Sequence, residues 1–145
     1  MLIGISPLLS SDLLKTLHEM GHGDEILLAD AHFPAYSLGQ RVLRSDGLSV
    51  APLLHAILPL LALDTPGNPL AMMLPEDPAD LDRSLEASYM APITRYAGIT
   101  TSPARLARAG FYERSRAAFV VLLTGEIRPY GNILLRKGVT PLSAL

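Results

Sequence analysis

The chain of 145 residues has the length of one domain, and with 49% hydrophobic and 18% charged residues it is too apolar for intrinsic disorder. Its 12 basic and 14 acidic side chains leave a formal net charge of −2, so there is no basic excess to hold a phosphate backbone, and no nucleic-acid partner is expected. The absence of cysteine excludes disulfides, thiolate metal sites and cysteine nucleophiles, while a mean hydropathy of +0.30 in so small a chain points to apolar surface covered by further subunits.

Met1 to Leu9 is apolar but has no basic residues before it, and Ser10, Ser11, Asp12 and Lys15 follow closely; it reads as a poor secretion signal. Ser10, Ser11 and Asp12 supply N-cap chemistry for a helix carrying Leu13, Leu14, Leu17 and Met20 at helical spacing. Gly21 and Gly23 stop that helix, and Glu25 to Ala29 reads as a short buried strand ending at Asp30. Asp30 to Pro34 is a loop, because Pro34 holds the preceding residue extended. Leu48 to Val50 reads as a brief strand, and a buried helix begins near Pro52 and runs to about Leu63. The apolar run around it, Gly47 to Leu63, contains Ser49, Pro52, His55 and Pro59 and is shorter than the ~20 residues of a membrane-spanning helix. No membrane association and a cytoplasmic location are expected.

Leu70 to Leu74, bounded by prolines, suits a central strand. Pro78 to Met90 carries Leu81, Leu85 and Tyr89 at i, i+4, i+8 and reads as a helix, as does Arg105 to Ala118 with a possible break at Gly110. Phe119 to Leu123 is the clearest strand, closed by Thr124-Gly125, and Asn132 to Leu135 is the last. Strands alternating with helices give an α/β layered sheet in a single domain over residues 1–145. Ligands of such sheets lie at the carboxyl ends of strands, which directs attention to Asp30 and to the segment from Thr124 to Asn132.

Four constellations carry candidate chemistry. His18-Glu19-Met20-Gly21-His22 matches the H-E-x-x-H pattern of zinc proteases. The glycines beside His22 end the helix that the pattern requires, so the two imidazoles diverge. His22 between Gly21 and Gly23 is an accessible acid–base group near two carboxylates, Asp24 and Asp30, either of which could orient its ring. The bland alternative is a polar helix-to-strand turn, and a divalent metal held by Asp24, Asp30, His22 and His32 is a third reading. Tyr130-Gly131-Asn132 combines a ring, a hydroxyl, a backbone that a ligand can approach closely and an amide that both donates and accepts, which suits a polyhydroxylated ligand. The same residues are common in turns. Arg108 and Tyr112, four apart, share a helix face if the helix is continuous, and either point at ligand oxygens or belong to a solvated basic face.

The sequence resembles the fucose mutarotase and ribose pyranase family of small sugar-anomer isomerases. The matching blocks are collinear: Ile5 to Leu8, Met20 to Ile26, Asp30 to Pro34, Arg44 to Leu48, Leu63-Asp64, Phe111 to Arg114, Thr124 to Glu126 and Tyr130 to Val139. Within the family, Gly-His-Gly-Asp-Glu and Asp-Ala-His-Phe-Pro look like the fucose branch, with ribose-pyranase-type isomerisation the alternative. Asp77 to Ser102 matches least well.

The resemblance implies a three-layer α/β unit with a mainly parallel sheet, assembled into a ring-shaped homo-oligomer, typically a decamer of two stacked pentamers with the sugar site near subunit contacts. It implies a catalytic His22 and places Asp30, Asp64, Arg108, Tyr112, Tyr130 and Asn132, with Gly131 between the last two, along the sugar site. The expected activity is interconversion of the α- and β-anomers of L-fucose or a related pyranose. In that scheme His22 is the acid, and Tyr112 or Tyr130 is the second proton-transfer group. A phenol, ordinarily near pKa 10, needs a cation such as Arg108 to lower it. No cofactor and no metal are required, since no electrons move and no phosphate is transferred. A non-catalytic monosaccharide-binding protein would keep the same pocket, whereas a purely structural ring would leave His22, Tyr130 and Asn132 without a task.

Overall fold

The computed structural model describes residues 1–145. The first helix, α1 (Ser11–Glu19), starts where the Ser10 hydroxyl accepts the Leu13 backbone N–H at 3.1 Å. It buries Leu13, Thr16 and Leu17, and it ends at Glu19 because Met20 turns to extended geometry. The chain then enters β1 (Glu25–Ala29), followed by a single helical turn, α2 (Ala35–Leu38), and β2 (Val42–Ser45). Next come α3 (Val50–Ile57) and β3 (Leu70–Met73). A 3₁₀ turn at Pro78–Asp80 precedes α4 (Arg83–Ala97). The chain closes with β4 (Ala104–Leu106), α5 (Arg108–Ala117), β5 (Val120–Thr124), β6 (Ile133–Arg136) and a 3₁₀ turn at Leu142–Ala144.

Six strands form one sheet in the order β2-β5-β1-β6-β3-β4. Pairings β1–β5, β2–β5 and β3–β4 are parallel, and β6 runs antiparallel to both neighbours. Alternation along the strands feeds two cores. Ile26, Leu28, Leu70, Met72, Val120, Leu122, Ile133 and Leu135 face α1, α3 and α4. Leu27, Ala29, Ala71, Met73, Val121, Leu123 and Leu134 face α2 and α5, where Phe111 is fully buried. The result is a three-layer α/β sandwich with a mainly parallel sheet. No helix is long and apolar enough to cross a membrane.

The elements expected at Glu25 to Ala29, Leu70 to Leu74, Phe119 to Leu123 and Asn132 to Leu135 are all present, within a residue or two at each end. Others move. The strand expected at Leu48 to Val50 is Val42–Ser45, because Ser49 occupies the N-cap position of α3 and Val50 opens that helix. The helix from Pro52 ends at Ile57, short of Leu63. The helix expected over Pro78 to Met90 is split. Asp77 caps the short turn, whereas Asp82 accepts the N–H groups of Ser84 and Leu85 at 3.0 Å each and starts α4 afresh. That helix runs through Pro92, whose burial with Tyr89 and Ile93 against α3 outweighs the lost backbone bond, and stops at left-handed Gly98. Arg105 belongs to the three-residue edge strand β4, and α5 starts at Arg108 and passes Gly110 unbroken.

Candidate functional site

The parallel strands end on one side of the sheet, and a cleft of about 490 Å³ opens there, within the usual range of roughly 300–1,000 Å³ for small-molecule sites. Its floor is a reciprocal clasp. The Asp30 backbone N–H donates to Asn132 Oδ1 at 2.7 Å, and Asn132 Nδ2 donates to Asp30 Oδ2 at 2.9 Å. The other carboxylate oxygen accepts the His32 N–H at 2.9 Å. Asp30 follows directly from β1 and Asn132 directly precedes β6, so sheet pairing sets their separation. Both side chains are buried, and burial raises the Asp30 carboxyl above its ordinary value against the bonds from His32 and Asn132.

One wall comes from α5. Arg108 and Tyr112 lie one turn apart and both line the cleft, as their spacing predicts. Phe33 packs edge-on against Tyr112 at 5.6 Å between ring centres and fixes its ring. Arg108 is half-exposed and pairs with Glu76 at 3.2 Å. The opposite wall is the segment before β6, where Ile127, Pro129 and Tyr130 line the space. Tyr130 has φ 59°, a left-handed conformation that costs a non-glycine residue roughly 1–2 kcal/mol. Gly131 beside it is dictated by packing. A Cβ there would lie 2.9 Å from the Arg128 carbonyl oxygen and from Glu126 Cγ, and 3.2 Å from the Tyr89 hydroxyl. The glycine therefore lets the molecule's own interior approach the backbone, where sequence alone suggests the approach of a ligand.

Sequence reasoning passes over further lining residues. His32 is read from sequence only as a candidate metal ligand and Phe33 only as part of the Asp-Ala-His-Phe-Pro block, although their place just after Asp30 is a usable signal for lining the cleft. Asp80 reaches the cleft from the 3₁₀ turn and gives no signal in sequence. Tyr89 lies outside the cleft but bonds its backbone, the hydroxyl donating to the Gly131 carbonyl oxygen at 2.8 Å.

His22 and Asp64 lie elsewhere. β1 has five residues, and at ~3.3 Å per residue roughly 16 Å separates His22, before the strand, from Asp30 after it. At that far end His22 Nε2 and Asp64 Oδ1 are 3.0 Å apart, and Arg136 Nε donates to Asp64 Oδ2 at 2.9 Å. The hydrogen bond from His22 and then that from Arg136 hold the Asp64 carboxyl below its ordinary value. The imidazole is largely exposed, at 60% of its side chain, and with Nε2 engaged by Asp64 its Nδ1 is the nitrogen left to meet a partner. Asp24 makes no hydrogen bond to the ring; its carboxylate accepts the Gly21 N–H at 2.7 Å. The proposed metal set of Asp24, Asp30, His22 and His32 is divided between opposite ends of the sheet and cannot share one ion. His18 and His22 likewise do not share a helix face, since α1 ends at Glu19.

One chain thus carries two separate features: a cleft of carboxylate, amide, guanidinium and phenols, and a carboxylate-held imidazole that is largely exposed. Comparison with known proteins gives this pair a context. The chain is similar to the fucose mutarotase of Streptococcus pneumoniae, solved in complex with L-fucose, at 39% identity over 97% of this chain and 100% of that one, with a TM-score of 0.88. It is similar to FucU from Bifidobacterium longum at 35% identity over 95% and 99% of the two chains, with a TM-score of 0.87. RbsD of Bacillus subtilis, solved with D-ribose, shares the fold at 20% identity and a TM-score of 0.71, over 97% and 100%. The model of the RbsD / FucU transport protein family matches residues 3–140, and with that span of agreement the chain belongs to this family.

Proposed function

We propose that this protein is an L-fucose mutarotase of the cytoplasm, working as a ring-shaped homo-oligomer of ten subunits. The observation that carries the proposal is the cleft in which Asp30, Asn132, Arg108, Tyr112 and Tyr130 converge. These groups match the hydroxyls of a pyranose, and a relative at 39% identity is by name a fucose mutarotase solved with L-fucose. In the reaction a proton leaves the anomeric hydroxyl and another reaches the ring oxygen. The C1–O5 bond breaks as the C1 carbonyl forms. The aldehyde turns about C1–C2 and closes on its other face, returning both protons. Asp30 and Asn132 hold sugar hydroxyls, His22 is the acid, and Tyr112 or Tyr130 is the second proton-transfer group.

Because His22 lies at the far end of its own sheet, the imidazole that serves a given cleft belongs to a neighbouring copy. Asp64 then acts by aiming that imidazole, and Arg136 keeps Asp64 ionised. The exposed apolar residues Met1, Leu2, Ile3, Leu60, Val139 and Leu142 supply surface for such contacts. The test is saturation-transfer NMR on equilibrated L-fucose at neutral pH. Saturating one anomeric proton should deplete the other only when protein is present. A folded oligomer giving no transfer with L-fucose, galactose or ribose would refute the proposal. It would favour the second reading, a monosaccharide-binding protein, which the absence of His22 from its own cleft supports.

A further inference from the structure

The feature of the cleft that its lining does not explain is how Tyr130 is kept in a left-handed conformation. The segment bearing it, residues 125–132, has no strand of its own. It is fastened from behind at two points, both on α4. At the start of that helix the Arg128 guanidinium donates to Asp82 Oδ2 at 2.6 and 3.1 Å and to the Ser84 hydroxyl at 2.6 Å. Two turns on, Tyr89, fully buried in the core beneath the sheet, sends its hydroxyl to the Gly131 carbonyl at 2.8 Å. That carbonyl belongs to the residue joining Tyr130 to Asn132, so the bond fixes the peptide between two cleft side chains. The same hydroxyl lies 3.2 Å from where a Gly131 Cβ would stand, so no side chain can intervene. Burial, with the charges of Glu126 and Asp30 nearby, raises the Tyr89 phenol far above its ordinary value, and it remains a donor at every working pH.

We propose that Tyr89 is a positioning residue for sugar binding: its hydroxyl locks the Gly131 carbonyl and thereby presents Tyr130 and Asn132 to the cleft in one fixed arrangement. Tyr89 touches no sugar. It acts through the backbone of the residues that do, from a helix that contributes no lining side chain of its own. The inference rests on the mutarotase reading for its kinetic consequence but not for its structural one.

The experiment compares the full-length oligomer with its Tyr89→Phe variant, which keeps the buried ring and removes one oxygen. L-fucose exchange, followed by NMR across a range of sugar concentrations, should show KM raised roughly three- to tenfold, the span of one lost hydrogen bond. The turnover number should change less than about twofold where Tyr112 moves the second proton, and should fall together with the rise in KM where Tyr130 does. Amide hydrogen exchange should accelerate at Arg128 and Gly131, whose N–H groups are bonded within the segment, and stay unchanged at Leu27 and Leu122. An unchanged KM, or a lower turnover number at constant KM, would overturn the proposal, the latter pattern being that of a general loss of folded protein. If the parent itself shows no anomer exchange, the mutarotase reading has failed, and the amide exchange alone decides: unaltered protection at Arg128 and Gly131 in Tyr89→Phe refutes the lock.

Discussion

Replacing Asn132 by Asp tests the clasp on the cleft floor with almost no change in shape. In the parent, Asn132 Nδ2 donates to Asp30 Oδ2 at 2.9 Å, with both residues buried. In Asn132→Asp that donor becomes an oxygen, and two carboxylates face each other in a site whose burial already raises Asp30. Both cannot be charged at that distance, so the folded protein retains one proton that the unfolded chain releases above pH ~4. The native state then binds one more proton than the unfolded state, and stability falls as pH rises. The slope is about 1.4 kcal/mol per pH unit while the shared proton is held, so the loss relative to the parent grows with pH, by at most about 4 kcal/mol from pH 5 to pH 8. Against a typical stability of about 5–15 kcal/mol this is a large fraction. Urea unfolding at a fixed protein concentration, repeated at each pH, measures it. Asn132→Leu is the control, with a loss that does not steepen with pH in this way. A deficit in Asn132→Asp that is the same at pH 5 and pH 8 would refute the clasp as described.

Three further outcomes are expected. His22→Ala should remove most of the acceleration of fucose exchange, on the scale of about 10²–10⁴-fold for a positioned acid–base group, while saturation-difference NMR still detects sugar binding; exchange at the parental rate would end its acid role. Mixing inactive His22→Ala with an inactive Asp30→Ala variant, under conditions that exchange subunits, should restore part of the activity, because some sites then pair an intact imidazole with an intact cleft. Activity that stays absent in proven mixed oligomers would assign both groups to one chain. Arg128 holds Asp82 near pKa 2, mainly by its hydrogen bonds. A carboxyl depressed on folding adds stability above its unfolded value of 3.8 and loses it as pH falls through about 2. The melting-temperature deficit of Arg128→Gln should therefore be full at pH 5 and shrink toward pH 2, as scanning calorimetry can follow.

Much of this was legible in the sequence because local patterns there were strong. Four apolar strands and the Ser10 cap are set by neighbouring residues, and the structure keeps them. What was illegible depended on long-range packing. Val42–Ser45 has only two apolar residues and becomes a strand by pairing with β5. Likewise, β4 exists because β3 offers an edge. The helix expected to stop at Met90 continues through Pro92 to Ala97, with α4 packed against α3. At the site, Asp30, Arg108, Tyr112, Tyr130 and Asn132 were named from sequence and do come together. The partnership of His22 with Asp64, 42 residues apart, and the grip of Tyr89 on Gly131 have no local signature at all.

The antiparallel strand β6 acts as a ruler. One of its ends abuts Asn132, which holds Asp30, and its other end is Arg136, which holds Asp64 and through it His22. Four residues of extended chain, roughly 13 Å, therefore set the distance from the clasp of Asp30 and Asn132 to the Asp64 that holds His22. In the proposed ring the same interval would repeat at every step, so it would help decide where each imidazole arrives over the next cleft. Loops around the sheet can lengthen without disturbing this spacing. A single residue inserted between Ile133 and Arg136 would invert the facing of one end relative to the other and, in the proposed ring, throw every site out of gauge at once.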